Sequence, residues 1–321
     1  IRFAGLSVNP NGCNPQLHFF GVRKETEMIL ALSFILGFGS LIALFIGKLL
    51  SGELWWIALL WGIGGFVVAF SILCIVIILI LIFGGKALAK HYNPKSPFRH
   101  WLIREIARFC NFWLGVRYHV EGLERIPKDR PFVIYTNHQG FLDMFIFFVV
   151  LKDYPHASLY KDSHDRNPLI GGIAKALGGM GLDRENDFKA AETIIKVIKE
   201  VKSGVNFMIY PEGTRSRGPN LLPFRAGSFK VAQKAQANLI VLALDGSYKV
   251  ARRMPLITRV YVKVVDCLSP EFINSMKTHE LSDLVHQKIE EDIAEARKKY
   301  RFLKVPKRYL KQKQEIDETG R

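Results

Sequence analysis

The sequence predicts an α/β domain with a mostly parallel central sheet flanked by helices, preceded by a two-helix transmembrane hairpin. Two observations carry that prediction. Short runs rich in β-branched and aromatic residues alternate with helix-length segments from about residue 90 to residue 265, which is the pattern of strand, helix, strand units. Ahead of them lie two long stretches without a charged side chain, in a chain of 321 residues that carries 45 lysines and arginines. Stretches of that length read as membrane spans.

Composition agrees. Half of the chain is hydrophobic although its net charge is +16, and both hold if the apolar residues are concentrated in one membrane segment. An excess of positive charge attracts nucleic acid, anionic lipid or acidic substrates without choosing among them. Cys13, Cys74, Cys110 and Cys267 are far apart and form no C-x-x-C, and the nine histidines form no H-x3-H or H-E-x-x-H pair. Neither a metal site, a cofactor nor a disulfide framework is expected.

Residues 1–27 carry Asn, Pro and Gly without periodicity and are expected to be poorly ordered. From Met28 to Ile46 every residue is apolar, Gly or Ser; at 1.5 Å per residue this is about 28 Å of helix. A polar connection from Gly47 to Glu53 leads to a second uncharged run, Leu54 to Gly85, of 32 residues. Its length exceeds the hydrocarbon core and predicts tilt, a break near Gly62-Ile63-Gly64-Gly65, or projection beyond the membrane. Residues 28–86 are thus the expected hairpin. Two such runs followed by a basic domain do not fit a cleaved signal peptide. Arg23 and Lys24 flank the first run and Lys86, Lys90, Lys95, Arg99 and Arg104 the second, whereas the connection has one lysine. Both ends are therefore expected on the cytoplasmic side.

Residues 87–278 read as the α/β domain. Trp101 to Leu114 has helical spacing and an aromatic and basic mixture suited to a membrane interface. Strands are expected at Tyr118 to Glu121, Phe132 to Thr136, Ser158 to Lys161, Val205 to Tyr210, Leu239 to Leu244 and Arg259 to Val265. Helices are expected at Phe141 to Leu151, Pro168 to Leu177, Phe188 to Lys202 and Phe224 to Ala237. Residues 279–321 read as an amphipathic helix and a basic tail. Leu284, Val285, Ile289 and Ile293 share one side of Ser282 to Lys299, and Arg301 to Lys311 mixes basic with apolar residues. That mixture suits anionic headgroups; a solvated tail has the same composition.

Three stretches carry chemistry. In the first, the strand ending at Thr136 runs into Asn137-His138-Gln139-Gly140-Phe141-Leu142-Asp143. On a continuous helix a five-residue offset separates two side chains by about 140°. A strand-to-helix turn lets the Asp143 carboxylate fold back onto the imidazole, fixing its tautomer and freeing the other nitrogen as a general base. The same spacing also fits a turn histidine beside a capping Asp. The second stretch, Tyr210-Pro211-Glu212-Gly213-Thr214-Arg215, follows a strand. It could cradle a phosphate gripped by Arg215, with Glu212 holding that arginine or bonding a hydroxyl; alone it also fits a solvated basic turn. In the third, Lys161 and the Arg184 that ends Gly181-Leu182-Asp183-Arg184 bring further positive charge to strand ends, where ligands of open α/β sheets collect.

In this order and spacing the three stretches resemble the 1-acylglycerol-3-phosphate O-acyltransferase (lysophosphatidic acid acyltransferase) family of glycerolipid acyltransferases, over roughly residues 95 to 260. His138 to Asp143 looks like its His-x4-Asp motif, the run ending at Arg184 its second motif and Tyr210 to Arg215 its third, with Leu222-Pro223-Phe224-Arg225-Ala226-Gly227 matching the stretch that follows. The family's fourth motif has a proline after apolar residues, and Ile240-Val241-Leu242-Ala243-Leu244 has none; there the chain departs from the pattern that shapes the donor pocket. The resemblance implies that His138 and Asp143 are catalytic and that Glu212, Gly213, Thr214, Arg215, Lys161 and Arg184 bind substrate. Implied partners are lysophosphatidic acid, acyl-CoA or acyl carrier protein, and the lipid bilayer. Implied too is an integral membrane location with the catalytic domain on the cytoplasmic face of a bacterial inner membrane or the endoplasmic reticulum.

Within that class a glycerol-3-phosphate or other lysophospholipid acyltransferase is the alternative. Outside it, a membrane-tethered protein binding anionic lipid or nucleic acid would use the charge without chemistry. The basic residues do not interleave with aromatics outside the tail, so no nucleic-acid partner is expected. A serine hydrolase is disfavoured because no G-x-S-x-G elbow occurs.

Overall fold

The computed structural model describes residues 28–128, 130–254, 256–307 and 309. The expectation for residues 1–27 lies outside them, as does most of the basic tail. Two antiparallel helices open the described chain, α1 (Met28–Leu50) and α2 (Trp55–Leu79). Both are long and apolar enough to cross a membrane. The helix does not break at Gly62 to Gly65. Those glycines instead let the helices approach: a Cβ at Gly62 would lie 2.8 Å from the Leu41 carbonyl oxygen, and one at Gly37 2.8 Å from the Phe66 ring. Small residues at a crossing serve close packing between apolar helices. The irregularity comes later, as a π turn at Ile80–Gly84, before α3 (Gly85–Ala89) continues the same rod.

Helix α4 (Pro97–Trp113) joins this rod to the rest. Glu105 accepts from the Ile29 N–H at 3.4 Å, and Trp113 Nε1–H donates to Ser33 Oγ at 3.4 Å. Trp113 also packs on Phe34, Phe66 and Phe70. Contacts of this kind are worth about 0.5–1.5 kcal/mol per pair beyond area burial.

Seven strands follow: β1 (Val116–Glu121), β2 (Phe132–Thr136), β3 (Ala157–Lys161), β4 (Met180–Leu182), β5 (Phe207–Ile209), β6 (Asn238–Asp245) and β7 (Thr258–Leu268). Their order across the sheet is β1-β7-β6-β2-β5-β3-β4. The five from β6 to β4 run parallel, and β7 reverses against β6 with β1 parallel to it. The mostly parallel sheet flanked by helices is the fold that the sequence predicts. β4, a three-residue strand within a glycine-rich run, was not among the expected strands.

Strand side chains alternate between two packed faces. Val133 and Tyr135 point to the face covered by α7 (Asp187–Lys202), α8 (Lys230–Ala235), α10 (Pro270–Asn274) and α11 (Thr278–Lys299). Phe132 and Ile134 point to the other, where α5 (Asp143–Val150) packs. Beyond α5, α4 and α6 (Gly171–Ala176) meet the membrane-type helices. The expected helix from Phe224 to Ala237 is split into a 3-10 turn and α8. The apolar stripe of α11, with Val285, Ile289 and Ile293 fully buried, lies on the sheet and not toward lipid. A short helix α9 (Val250–Arg253) precedes β7.

Candidate active site

β2, β5, β3 and β4 are successive neighbours in the sheet, and the expected site residues lie at or just beyond their C-terminal ends. His138 follows β2, Glu212 to Arg215 follow β5, Lys161 ends β3 and Arg184 follows β4. Parallel pairing brings these ends to one edge.

His138 Nδ1 is 2.7 Å from Asp143 Oδ2. The same oxygen accepts from the Gln139 N–H at 2.7 Å and the Gly140 N–H at 2.9 Å, and Asp143 is wholly buried. The turn at Gly140 and the start of α5 at Asp143 produce this fold-back. A carboxylate so held keeps the proton on Nδ1 and leaves Nε2 as the basic nitrogen. The Tyr210 ring stacks on the imidazole, centroids 4.1 Å apart and 26° from parallel. Its hydroxyl is buried without a hydrogen-bond partner among the described residues, and burial followed by the nearby Asp143 charge holds its pKa well above the usual value.

The rest of the turn is bolted to the sheet. Asn137 exchanges two hydrogen bonds with the Leu244 backbone, at 2.8 and 2.9 Å. Gln139 Nε2–H donates to Asp245 at 3.0 Å, and Asp245 accepts from Arg297 of α11 at 2.7 Å.

Among the described residues Glu212 does not pair with Arg215. It is 4% exposed, and its oxygens accept from the His138 N–H at 2.8 Å and the Leu222 N–H at 3.3 Å. It therefore ties the third stretch to the first. Burial raises its pKa to about 7, opposed by those two backbone donors and reinforced by Asp143. Gly213 has φ +71°, and a Cβ there would lie 2.8 Å from Arg225 Nε. Glycine is needed for the backbone and for the arginine that covers it. Thr214 is exposed and Arg215 half-buried.

Positive charge converges beside the dyad. Lys161 reaches Glu185 at 3.8 Å. Arg184 has its pKa lowered, first by burial and then by Arg225, while Asp162 acts the other way. Neither His164 nor Arg225 was predicted here, nor was the stacking of Tyr210 on the imidazole. His164, in the turn after β3, has its pKa lowered by burial and then by Arg215, Arg184, His138 and Lys161. Its placement directly after a strand end is the one signal that could have singled it out. Arg225 lay inside a quoted motif without a role.

Residues 117–245 match a protein-family model described as Acyltransferase. More particularly, the chain is 28% identical over 177 residues to a chloroplastic 1-acyl-sn-glycerol-3-phosphate acyltransferase of Brassica napus, covering 55% of this chain and 51% of the relative. It is 29% identical over 192 residues to the 1-acyl-sn-glycerol-3-phosphate acyltransferase of Haemophilus influenzae, covering 57% and 80%. The chain spans about half the length of the first curated relatives it matches. Its fold is that of the crystallised 1-acyl-sn-glycerophosphate acyltransferase PlsC from Thermotoga maritima, with a TM-score of 0.54 and 24% identity, covering 68% of this chain and 90% of that one.

Proposed function

We propose that the protein transfers a fatty acyl group from an acyl thioester, acyl-CoA or acyl carrier protein, to the sn-2 hydroxyl of 1-acylglycerol-3-phosphate, making phosphatidic acid. The observation that carries this is the meeting of the His138–Asp143 pair with a cluster of positive groups along one sheet edge. His138 Nε2 removes the hydroxyl proton as the oxygen attacks the thioester carbonyl; the C–O bond forms, the C–S bond breaks, and the proton passes to the leaving thiolate. Asp143 stabilises the imidazolium formed in between. No acyl-enzyme is required. Arg215, with Gly213 and Thr214, seats the acceptor phosphate, and Lys161 and Arg184 add to the positive field. Glu212 acts one step back, fixing the His138 backbone. The relatives' names and the match to the acyltransferase model support this reading.

The acceptor and product are membrane lipids, which gives the α1–α2 hairpin its purpose. In this reading residues 28–86 span the bilayer, residues 87–278 work on the cytoplasmic face and residues 279–321 supply an amphipathic helix and a basic tail. An acceptor panel with radiolabelled acyl-CoA tests the assignment: 1-acylglycerol-3-phosphate should be acylated much faster than glycerol-3-phosphate, lysophosphatidylcholine or lysophosphatidylethanolamine. Preference for any of those three contradicts the acceptor assignment.

A further inference from the structure

The loop between α9 and β7 carries three large apolar side chains that the fold leaves uncovered. Met254, Leu256 and Ile257 are 57%, 63% and 58% exposed. Their position is fixed by the end of α4. The Thr258 N–H donates to the Gly115 carbonyl at 2.9 Å, and a Cβ on Gly115 would lie 3.3 Å from the Ile257 Cα. Two residues before Gly115, Trp113 is packed among Phe34, Phe66 and Phe70 of the hairpin.

α4 descends along that hairpin. Glu105 meets Ile29 at the start of α1, whereas Trp113 meets Ser33 and Phe34; five residues beyond Met28 are about 8 Å of helix rise. The apolar loop therefore lies beside the apolar span, not above it. Arginines precede it in the chain and follow it at the start of the sheet. Arg252 and Arg253 precede Met254, and the exposed Arg117 and Arg259 sit side by side in the register of β1 and β7. Two like charges paired across strands repel, and an anionic surface reverses that cost. The edge is also the catalytic one. Because β7 is antiparallel to β6, with Tyr261 opposite Asp245, the start of β7 lies at the same end of the sheet as the C-terminal end of β2 and His138.

We infer that Met254, Leu256 and Ile257 form a third membrane contact, separate from the two helices. It enters the headgroup and acyl boundary of an anionic bilayer with Arg117, Arg253 and Arg259 at the lipid phosphates. This further point of contact, on the catalytic edge, turns that edge to the bilayer. Interfacial anchoring by an apolar tip and a basic rim follows the rules of monotopic membrane binding.

This inference rests on the proposed bilayer location of α1 and α2, and the test separates the two. A photo-crosslinking amino acid is placed singly at Ile257, at Ile72 in α2, which is 56% exposed, and at Lys199 in α7, on the sheet face away from the hairpin. The full chain is reconstituted in vesicles of phosphatidylcholine with and without phosphatidylglycerol, irradiated, and its lipid adducts are measured by mass spectrometry. Lipid adducts should form at Ile72 in both vesicles and at Ile257 chiefly with phosphatidylglycerol, and Lys199 should stay free of them. Arg253→Glu together with Arg259→Glu should cut the Ile257 adduct several-fold and leave Ile72 unchanged. An Ile72 adduct without one at Ile257 overturns the loop contact and leaves the hairpin standing. Absence of adducts at both positions overturns the hairpin reading and this inference with it. Crosslinking of Ile257 to a second copy of the chain would replace the bilayer by a protein partner.

Discussion

The turn that carries His138 is held by hydrogen bonds to its own backbone and to Asp143 and Glu212, whereas beside it positive groups gather around His164. Asp143 Oδ2 gathers three donors and Glu212 ties down the His138 backbone. Burial and then Arg225 lower the pKa of Arg184, while burial and then Arg215, Arg184, His138 and Lys161 lower that of His164. The difference teaches which half of the site is complete without substrate. The dyad is preorganised, so its geometry needs no ligand. A phosphate dianion at the proposed acceptor site would offset the positive groups that lower the His164 and Arg184 pKa values.

Breaking the preorganised half should have the largest effect. His138→Ala removes the general base, and turnover of the purified protein should fall by roughly 10² to 10⁴. Asp143→Asn should also lose turnover, with the acceptor KM nearly unchanged. Retention of more than about a tenth of turnover by His138→Ala would mean that another base operates.

Glu212 sharpens the contrast, since it is a carboxylate serving the rigid half. Its pKa is raised from 4.5 to about 7. A raised carboxylate stabilises the fold below its unfolded pKa, and that contribution is lost as pH rises from about 4.5 to about 7. The gap amounts to roughly 3 kcal/mol at most. The Tm in detergent should therefore decline over this window. Glu212→Gln should flatten the decline while leaving one backbone N–H unpaired, which costs about 1–3 kcal/mol. An identical pH slope in both proteins would show that Glu212 is not the group responsible.

The smallest effect belongs to the Tyr210 hydroxyl. Being buried and without a partner among the described residues, it contributes no hydrogen bond that its removal could forfeit. Tyr210→Phe keeps the ring on His138 and should leave turnover within about twofold, whereas Tyr210→Leu removes the stacking and should cost more. A tenfold loss in the Phe variant would give the hydroxyl a place in the chemistry.

Much of this was legible in the sequence, where local pattern decides. β2 begins and ends at the expected residues, because an apolar run bounded by Thr136 and a turn leaves little choice. The His138 and Asp143 spacing works only with a turn between them, and Gly140 supplies it. What was hidden depends on tertiary contact. Glu212 sits beside Arg215 in sequence, yet its oxygens face backbone donors from elsewhere, one of them 74 residues away. Met180 to Leu182 becomes a strand only because β3 offers an edge to pair with. The stripe on α11 reads alike for a sheet or a membrane; the buried Val285 and Ile289 decide for the sheet.

The acceptor site at Arg215 is the central claim, and one variant tests it most directly. In Arg215→Ala the KM values for 1-acylglycerol-3-phosphate and for acyl-CoA are measured on the same preparation. A charged hydrogen bond is worth about 1.5–3 kcal/mol, so the acceptor KM should rise roughly tenfold or more while the donor KM moves much less. Arg215→Lys, which keeps the charge without the two-pronged geometry, should fall between wild type and Ala. A larger rise for acyl-CoA than for the acceptor would place the donor's phosphates at this turn and contradict the account.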